Sequence, residues 1–569
     1  MNRLPPEILL AILEYTVASL YSNKNRLLAL RTTCKLFDEV LKPYALRTLQ
    51  LEFTRLDKVE RALKPPDDDA LRRVGHMCRA LYLDMMVVRD EGEIGYLDQM
   101  FRPVRTMDSF VADLRNRYCM SESSFTEIDY RRRVGTMLEH TPKVSAVKLT
   151  LPLQLVSSGQ YGAATLILGN SFEALAQRPE GSETLRTLVL ENLSDGSVLQ
   201  LWNNPQDVKN IIDVFQDLRH LFLSMRRHEE DPGHNINFHK RLWEMICKAK
   251  RLESLCLVDL DADEKPPRKI ITSSQLERPL EEWQFLCVPM MRSPSRSVLP
   301  NLAFLELRQV EVMGNGLVST LKSFRHSLRE LHLDHVYLKT VYSVDSPQDV
   351  NNTLWIGLPN VPPPRNHQWV ATCLRQIGMR LRVCEAAYLG YDQFVMDEEP
   401  ANDANYDLAD PCGLARTLEE RFVEVATGVE QPRGADGSPV AYWTDTGADT
   451  ESETDEDGES EAPAPGSHGP AEAGSASAWQ RSIDGQFPNC NPFTLNMLHV
   501  FAESAYNGIT ILNRRALWDE YEDDYDEFLE LYDPIPIPTF PDRYTEEDLQ
   551  DDLDYGDGYG YGYGFDEFF

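Results

Sequence analysis

The chain has 569 residues and a formal net charge of −34, and its acidic excess lies in the last third. Residues 1–396 contain 49 acidic and 50 basic side chains, whereas the chain from Asp397 onward contains 42 acidic and 7 basic ones. Neither part has the basic excess with which proteins bind a phosphate backbone, so we expect no nucleic-acid partner.

Cysteine spacing and hydropathy argue against a zinc-binding, secreted or membrane-spanning protein. The ten cysteines show no Cys-x-x-Cys spacing, so we expect no zinc site and mostly reduced thiols in apolar surroundings. We find no apolar run long enough to span a membrane, and Pro5-Pro6-Glu7 interrupts any signal peptide. These features predict an intracellular protein, in the cytoplasm or nucleus, that makes no membrane contact.

The sequence carries none of the common catalytic motifs. It has no phosphate-binding loop, nucleophile elbow, zinc-protease helix or kinase signature. His234 and His239 flank a polar stretch without a third ligand, so they are interpreted as surface residues. We therefore expect a protein that is not an enzyme and acts by holding partners, with no catalytic residue, metal or cofactor.

The first 45 residues are predicted to form a helical domain. Pro5 and Pro6 can open a helix, because its first turn needs no N–H donor. Two stretches of apolar residues at helical spacing predict two helices, the second of which ends at Pro43. These residues are Ile8, Leu9, Ile12 and Leu13 in the first stretch and Leu27, Leu30, Cys34 and Phe37 in the second. Two short helices cannot bury this much apolar surface, so part of it should meet another chain or the following domain.

This stretch resembles an F-box, with the patterns Leu-Pro-x-Glu-Ile-x-x-x-Ile-Leu and Leu-x-x-x-Cys-Lys-x-Phe. The resemblance implies docking on a Skp-type adaptor and, through the adaptor, on a cullin. The residues implied to face the adaptor are Leu4, Pro5, Pro6, Ile8, Ile12, Leu13, Leu30, Cys34 and Phe37. An ordinary N-terminal helical hairpin is the alternative interpretation.

A leucine motif recurs in the part of the chain that follows. The spacing Leu-x-x-Leu-x-Leu starts at Leu46, Leu185, Leu218, Leu252, Leu302 and Leu328, and two looser copies start at Cys78 and Val144. Each copy is predicted to be a short strand, and apolar residues at helical spacing before several copies predict a helix in each unit. The interval between Cys78 and Val144 is twice the usual one, so we expect a degenerate unit near residue 110.

Units this small cannot bury both a helix face and a strand face, and stacking them into a solenoid solves that problem. The pattern resembles an irregular leucine-rich repeat of the kind that follows F-boxes, especially in fungal proteins. The regular family has Asn or Cys eight residues after the first leucine, and here those positions hold Thr54, Leu193, Arg226, Leu260, Val310 and Val336. The predicted fold is therefore an α/β solenoid of irregular curvature over residues 46–342, with a non-repetitive α/β domain as the alternative.

The last third is predicted to contain helices and disordered stretches. The predicted parts are a helical cap at 343–429, a disordered acidic linker at 430–478, a helical segment packing on the solenoid at 479–532, and a disordered acidic aromatic tail at 533–569. Within the cap, apolar spacing predicts one helix from Trp369 to Phe394 and a second from Leu414 to Val425. Gly, Ser, Pro, Ala and acidic residues dominate the linker, a composition typical of disorder.

The resemblance implies a substrate-recognition subunit of a cullin-RING, SCF-type ubiquitin ligase, with residues 1–45 on the adaptor. The solenoid would bind an unknown protein substrate through its concave, strand-lined face or through the inserted loops 261–299 and 343–366. Ubiquitin transfer would be carried out by other subunits. The alternative function is a leucine-rich-repeat interaction scaffold without ligase association, in which the first helices cap the solenoid.

Overall fold

The computed structural model divides into two compact units, Met1–Tyr506 and Asn507–Phe569. The structure describes residues 5–20, 24–53, 68–121, 125–157, 162–226, 232–259, 271–272, 299–338, 352–356, 367–391, 417–428, 479, 483, 487, 494 and 496–512. The predicted linker and tail lie outside the described residues, as do most of the two predicted insertions. In the second unit, residues 507–512 are helical.

The N-terminal stretch folds into three helices rather than the two predicted. They are α1 (Pro6–Ser19), α2 (Lys24–Arg31) and α3 (Lys35–Ala45). The chain leaves the helix at Thr32 and Thr33, whose N–H groups donate to carbonyls three residues back, and Cys34 is extended. Pro43 does not end α3, because in the last turn its missing N–H removes a single helical hydrogen bond.

Parallel strands form the body of the first unit. In chain order they are β1 (Thr48–Glu52), β2 (Ala80–Asp84), β3 (Ala146–Thr150), β4 (Val156–Ser157), β5 (Thr187–Ser194), β6 (His220–Arg226), β7 (Ser254–Asp259), β8 (Ile271–Thr272), β9 (Phe304–Val312), β10 (Glu330–Leu338), β11 (Asn352–Leu354), β12 (His367–Trp369), β13 (Val383–Ala387) and β14 (Gly390–Tyr391). Ten strands join one sheet, whereas β4 pairs with β8 and β11 pairs with β12 in separate ladders. Every predicted leucine motif has a sheet strand that begins two residues after its first position, so all eight predicted strands are confirmed.

The helices that follow α3 lie mostly between these strands. They are α4 (Asp68–Val74), α5 (Glu91–Phe101), α6 (Asp108–Asp113), α7 (Glu127–His140), α8 (Gly162–Ala176), α9 (Asp195–Trp202), α10 (Pro205–Phe215), α11 (Pro232–Ile246), α12 (Gly314–Phe324), α13 (Val370–Ile377) and α14 (Leu418–Thr427). A π-helical turn covers Leu114–Tyr118. None of the helices in the described ranges combines the length and the hydropathy that a bilayer span requires.

The strand order of the large sheet follows the chain without reversal: β1-β2-β3-β5-β6-β7-β9-β10-β13. Parallel crossovers are right-handed, so connections that always advance in one direction put their helices on one side of the sheet. A doubly wound fold, whose strand order reverses, would carry helices on both sides. The prediction of an α/β fold is confirmed at this level: the sheet is parallel, open and covered by crossover helices on one face.

The degenerate unit expected near residue 110 is wrong. β2 pairs directly with β3 over five residue pairs, so no strand from this region enters the sheet between them. The intervening chain carries α5, α6, the π-helical turn and α7. The long interval is therefore one helical crossover, which spacing alone does not distinguish from two short units.

The predicted helix from Trp369 to Phe394 is wrong in its second half. Helix α13 ends at Ile377, and Gly378 adopts the left-handed conformation, with φ of 69°, that commonly terminates a helix. The chain then enters β13, which pairs with β10 and extends the sheet by one strand. The predicted cap thus contains a strand of the main sheet, followed by α14 close to the second predicted helix.

A backbone feature repeats along the sheet. The residues other than glycine that have positive φ in the described chain are Asn192, Gln309, His335 and Tyr388, with φ of 61°, 51°, 51° and 51°. The first three each lie seven residues after the first leucine of a motif. Tyr388 lies seven residues after Leu381, which heads a ninth unit in which Cys384 and Ala386 replace the later leucines. A rare conformation at one shared position indicates that these units are structurally equivalent.

The motif leucines that alternate along each strand form the core between the sheet and its helices. At most 1% of the side chain is exposed for Leu81, Leu83, Val147, Leu149, Leu188, Leu190, Leu221, Leu223, Leu255, Leu257, Leu305, Leu307, Leu331 and Leu333. Fully burying one such side chain contributes about 1.5–3 kcal/mol, so this layer stabilises the fold strongly. The strand residues between these leucines point to the opposite side of the sheet, which we call the front face.

Candidate functional site

The three N-terminal helices share a core of their own. Leu13, Val17, Leu27, Phe37, Leu41 and Ala45 are buried together, and Leu9, Leu20, Leu28, Leu30 and Val40 pack against them. The described members of this cluster lie in α1, α2 and α3 or, for Leu20, directly after α1, and we call these three helices the N-terminal module. Two residues, Leu46 and Arg47, separate α3 from β1, and the Arg47 carbonyl accepts hydrogen bonds from the N–H groups of Arg79 and Ala80.

Helix α1 is apolar on its outer side as well as on the side that faces this core. Ile8 and Ile12 are 50% and 46% exposed, and Tyr15 is 76% exposed. These three residues are spaced i, i+4 and i+7, so they lie along one stripe, which we call the outer stripe. A surface helix normally carries polar residues on this side, and a contiguous exposed apolar stripe marks a surface that contacts another molecule.

The structure separates the nine predicted adaptor-facing residues. Pro5, Ile8, Ile12 and Cys34 are exposed, Leu13 and Phe37 are buried in the module core, and Leu30 is half-buried against it. Leu4 and the side chain of Pro6 lie outside the described residues. Because Leu13 and Phe37 hold the three helices together, they do not form part of an adaptor-facing surface in this structure.

The sequence-based set missed one residue of the outer stripe and two other exposed apolar residues of the three helices. Tyr15 completes the stripe, and Leu10 in α1 and Tyr44 in α3 are 40% and 42% exposed. Tyr15 lies one helical turn after Ile12, so the i+3 spacing could have found it. Periodicity does not show which of two neighbouring apolar stripes of one helix faces inward, which is why Leu13 was grouped with Ile12.

The front face of the sheet carries charged side chains that pair across neighbouring strands. Lys148 Nζ lies 2.7 Å from Glu191 Oε1, and Arg308 Nε donates to Asp334 Oδ2 over 2.9 Å. His332 Nδ1 lies 3.0 Å from a Glu385 oxygen. Burial acts to lower the pKa of His332, but the hydrogen bond to Glu385 and nearby carboxylates raise it above the ordinary value. These three basic side chains are paired, but Glu52, Asp84 and Glu306 on the same face add further carboxylates, so acidic groups outnumber basic ones there.

Between these charges, the centre of the front face is apolar and covered. Its buried residues are Ala80, Tyr82, Ala146, Val189, Phe222, Cys256 and Val258, and Ile483 and Phe487 from the C-terminal part of the first unit are buried among them. Trp479 packs against the same cluster, and its ring stacks on Phe304 with centroids 5.0 Å apart. The strand-lined face that the sequence suggested for a target is therefore occupied, in this structure, by the chain itself.

The described residues were compared with the side-chain groupings that bind metal ions. No three His, Cys, Asp or Glu side chains converge there on a point that could hold a metal ion. The Cys119 thiol is not activated, because burial and the neighbouring Glu91 carboxylate raise its pKa to about 12. No family model and no curated protein matches this chain. The function therefore has to be inferred from the outer stripe and the front face.

Asp84 is a buried carboxyl group on the front face with a strongly raised pKa. It is 1% exposed and lies at the end of β2, near the carboxylates of Glu52 and Glu191. Burial is the largest cause that raises its pKa to about 6, and the two acidic neighbours act in the same direction. The Met86 N–H and the Thr494 hydroxyl act in the opposite direction. The C-terminal segment thus helps to enclose a carboxyl group that is costly to ionise.

We expect Asp84→Asn to stabilise the protein near pH 7 and to flatten its pH dependence. The folded chain keeps the Asp84 proton up to about pH 6, whereas the unfolded chain releases it near pH 3.8, the ordinary value. The free energy of unfolding therefore falls as pH rises from about 4 to about 6 and stays lower above that range. The difference between the two pKa values corresponds to about 3 kcal/mol, an upper bound for the gain at pH 7.

Denaturant unfolding of both proteins between pH 4 and pH 8 measures this effect. The exposed carboxylate Glu139 provides the control, because Glu139→Gln changes the net charge equally without removing a buried acid. Equal free energies of unfolding for wild type and Asp84→Asn at pH 8 would contradict the prediction.

Proposed function

We propose that the protein is the substrate-recognition subunit of an SCF-type cullin-RING ubiquitin ligase. The F-box-like module, α1 to α3, docks on a Skp-type adaptor, and the βα units behind it form an irregular leucine-rich-repeat solenoid that holds a protein substrate. The observation that carries the proposal is the outer stripe of Ile8, Ile12 and Tyr15, which is exposed although its helix belongs to a folded module. Exposing such a stripe to water is unfavourable, and burial against the apolar surface of a partner removes this unfavourable hydration.

Three features of the sheet support the second half of the proposal. The strand order advances along the chain, strands begin at the same position of each leucine motif, and the left-handed residue recurs at one position of four units. Each unit then contacts mainly its neighbours, as stacked repeats do. The apolar residues Leu193, Val310 and Val336 occupy, fully buried, the layer where the regular family has Asn or Cys.

The competing function is an interaction scaffold in which the first helices cap the sheet. A cap would share its apolar core with the sheet, whereas the described members of the N-terminal cluster belong to α1, α2 and α3 alone. This separation favours a docking module over a cap. Substrate binding by a scaffold of this kind would leave the outer stripe without a role.

The experiment that tests the proposal is complex formation with a purified Skp-type adaptor. The full-length chain and the adaptor are mixed at micromolar concentration and analysed by size-exclusion chromatography and calorimetry. A stoichiometric complex that also recruits a cullin is the expected result. Absence of binding by the folded full-length chain would overturn the proposal and leave the scaffold as the better interpretation.

A further inference from the structure

The front face is occupied by side chains spaced four residues apart. Trp479, Ile483 and Phe487 all contact it, and Trp479 and Ile483 are helical. Side chains at i and i+4 lie on one side of a helix, so a single helical segment can deliver such anchors into a groove. The recipient surface is apolar and mostly aromatic or small, with Tyr82, Phe222 and Phe304 as its rings.

Several buried polar atoms of this segment and of the face lack a hydrogen-bond partner. Within the described chain, Trp479 Nε1 is buried and makes no hydrogen bond, and the same holds for Ser224 Oγ, Gln50 Nε2 and His332 Nε2 on the front-face strands. A buried donor or acceptor without a partner costs about 1–3 kcal/mol. A permanent core element normally satisfies these atoms, whereas an occupant that must leave has no such requirement.

The connection in sequence also suits an occupant that can leave. The last described residue before Trp479 is Gly428, and the intervening sequence is rich in Gly, Ser, Pro and acidic residues. Lys148, Arg308 and His332 are each paired with a carboxylate across the strands, and the contacts that the resident side chains make with the face are apolar. The ligand expected to compete for the face is therefore a peptide with apolar side chains four residues apart.

We propose that the front face is a peptide-binding site for a segment with aromatic and aliphatic side chains four residues apart, and that the stretch carrying Trp479, Ile483 and Phe487 is its resident occupant. A segment of the bound protein takes the place of the resident one, so the free receptor is self-inhibited. The inference rests on the proposed function for one point, the identity of the competitor as a ubiquitination substrate. Because the incoming segment binds only those receptors whose front face is open, its apparent affinity is its intrinsic affinity multiplied by the open fraction.

The test uses the full-length chain and a fluorescent synthetic peptide of residues 477–489. In Trp479→Ala/Phe487→Ala the resident segment loses two anchors, and we expect the peptide to bind this variant at least ten-fold more tightly than wild type. A peptide with alanine at 479, 483 and 487 should not bind. Adding Phe222→Ala to the double variant should weaken binding of the anchored peptide, because that ring belongs to the recipient surface. Failure of the peptide to bind the folded double variant overturns the inference.

A second measurement on the unaltered protein covers the case in which the double variant does not fold. Native-state hydrogen exchange reports the free energy at which the amides of Trp479, Ile483 and Phe487 open. We expect these amides to exchange through an opening well below global unfolding, whereas those of β5 and β6 open only globally. Exchange of the anchors at the global free energy would make the segment a permanent part of the core and overturn the inference.

Adaptor binding separates this inference from the proposed function. Peptide binding without adaptor binding would leave a self-inhibited peptide-binding protein and remove only the ligase. Adaptor binding without peptide binding would keep the ligase and remove only the resident occupant.

Discussion

The double substitution Ile8→Lys/Ile12→Lys is expected to weaken binding to a Skp-type adaptor by about 100-fold or more while leaving the fold intact. Each isoleucine has about half of its side chain exposed, 50% and 46%, so burying both remaining surfaces contributes about 2–3 kcal/mol. Placing two ammonium groups in the same interface adds a desolvation cost to this loss. Lysine is a good helix former, so α1 itself should tolerate both changes.

A matched control separates loss of the outer stripe from a general effect of charge. Ile128 in α7 is 75% exposed and lies outside the N-terminal module, so Ile128→Lys adds the same type of charge at a surface that is not expected to bind the adaptor. Calorimetric titration with the adaptor, together with thermal unfolding of each variant, makes the comparison. Unchanged affinity of the double variant, or an equal loss in Ile128→Lys, would contradict the docking role of the stripe.

The largest loss of stability is expected from Glu93→Ala, at about 3–5 kcal/mol in the free energy of unfolding. Arg89 and Glu93 are both 0% exposed, and their closest charged atoms are 3.5 Å apart. Glu93 also accepts a hydrogen bond from the Leu155 N–H, while Arg89 donates to the Val87 and Met86 carbonyls. Removing the carboxylate therefore takes a buried ion pair away from Arg89 and removes the acceptor of the Leu155 N–H.

Two further variants define the origin of this loss. Glu93→Gln should cost less than Glu93→Ala, because the amide oxygen can still accept from Leu155. Glu244→Ala breaks the half-exposed pair with Arg241 and should cost less than about 1 kcal/mol, since exposed pairs contribute little. Chemical denaturation of all three proteins at low salt provides the free energies. A loss below 1 kcal/mol in Glu93→Ala would show that the buried pair is not required for stability.

The strands of the fold could be predicted because leucine is costly to expose. A strand with two leucines on one side must cover that side, so the spacing predicts the buried face of the strands that begin at the leucine motifs. The ninth unit was not predicted because Cys384 and Ala386 stand where the other units have leucine, and a short apolar run fits a helix as well as a strand. The long crossover between β2 and β3 was not predicted because the spacing of motifs gives only the number of residues between two strands. It does not show whether those two strands pair directly.

The candidate surfaces could be predicted only in part, for a related reason. Sequence periodicity shows that α1 has apolar residues at helical spacing, but the choice between Leu13 and Ile12 for the inner side depends on where α3 packs. The segment that covers the front face left a weak signal, because Trp479, Ile483 and Phe487 are three isolated apolar side chains in a polar stretch, and their four-residue spacing does not show what they pack against. Their partners come from strands more than 170 residues earlier in the chain, and such contacts are not visible in local sequence.

The short connection between α3 and β1 fixes the distance between the adaptor-binding helices and the front face of the proposed receptor. With two residues between the module and the first strand, and with the Arg47 carbonyl bonded to the next unit, the junction has little freedom to bend. Neighbouring strands are spaced at about 4.8 Å, so the centre of the front face at β6 lies about 19 Å along the sheet from the edge strand β1. Inserting or deleting one unit would move a bound substrate by one such step relative to the adaptor, and would change which substrate lysines can be reached.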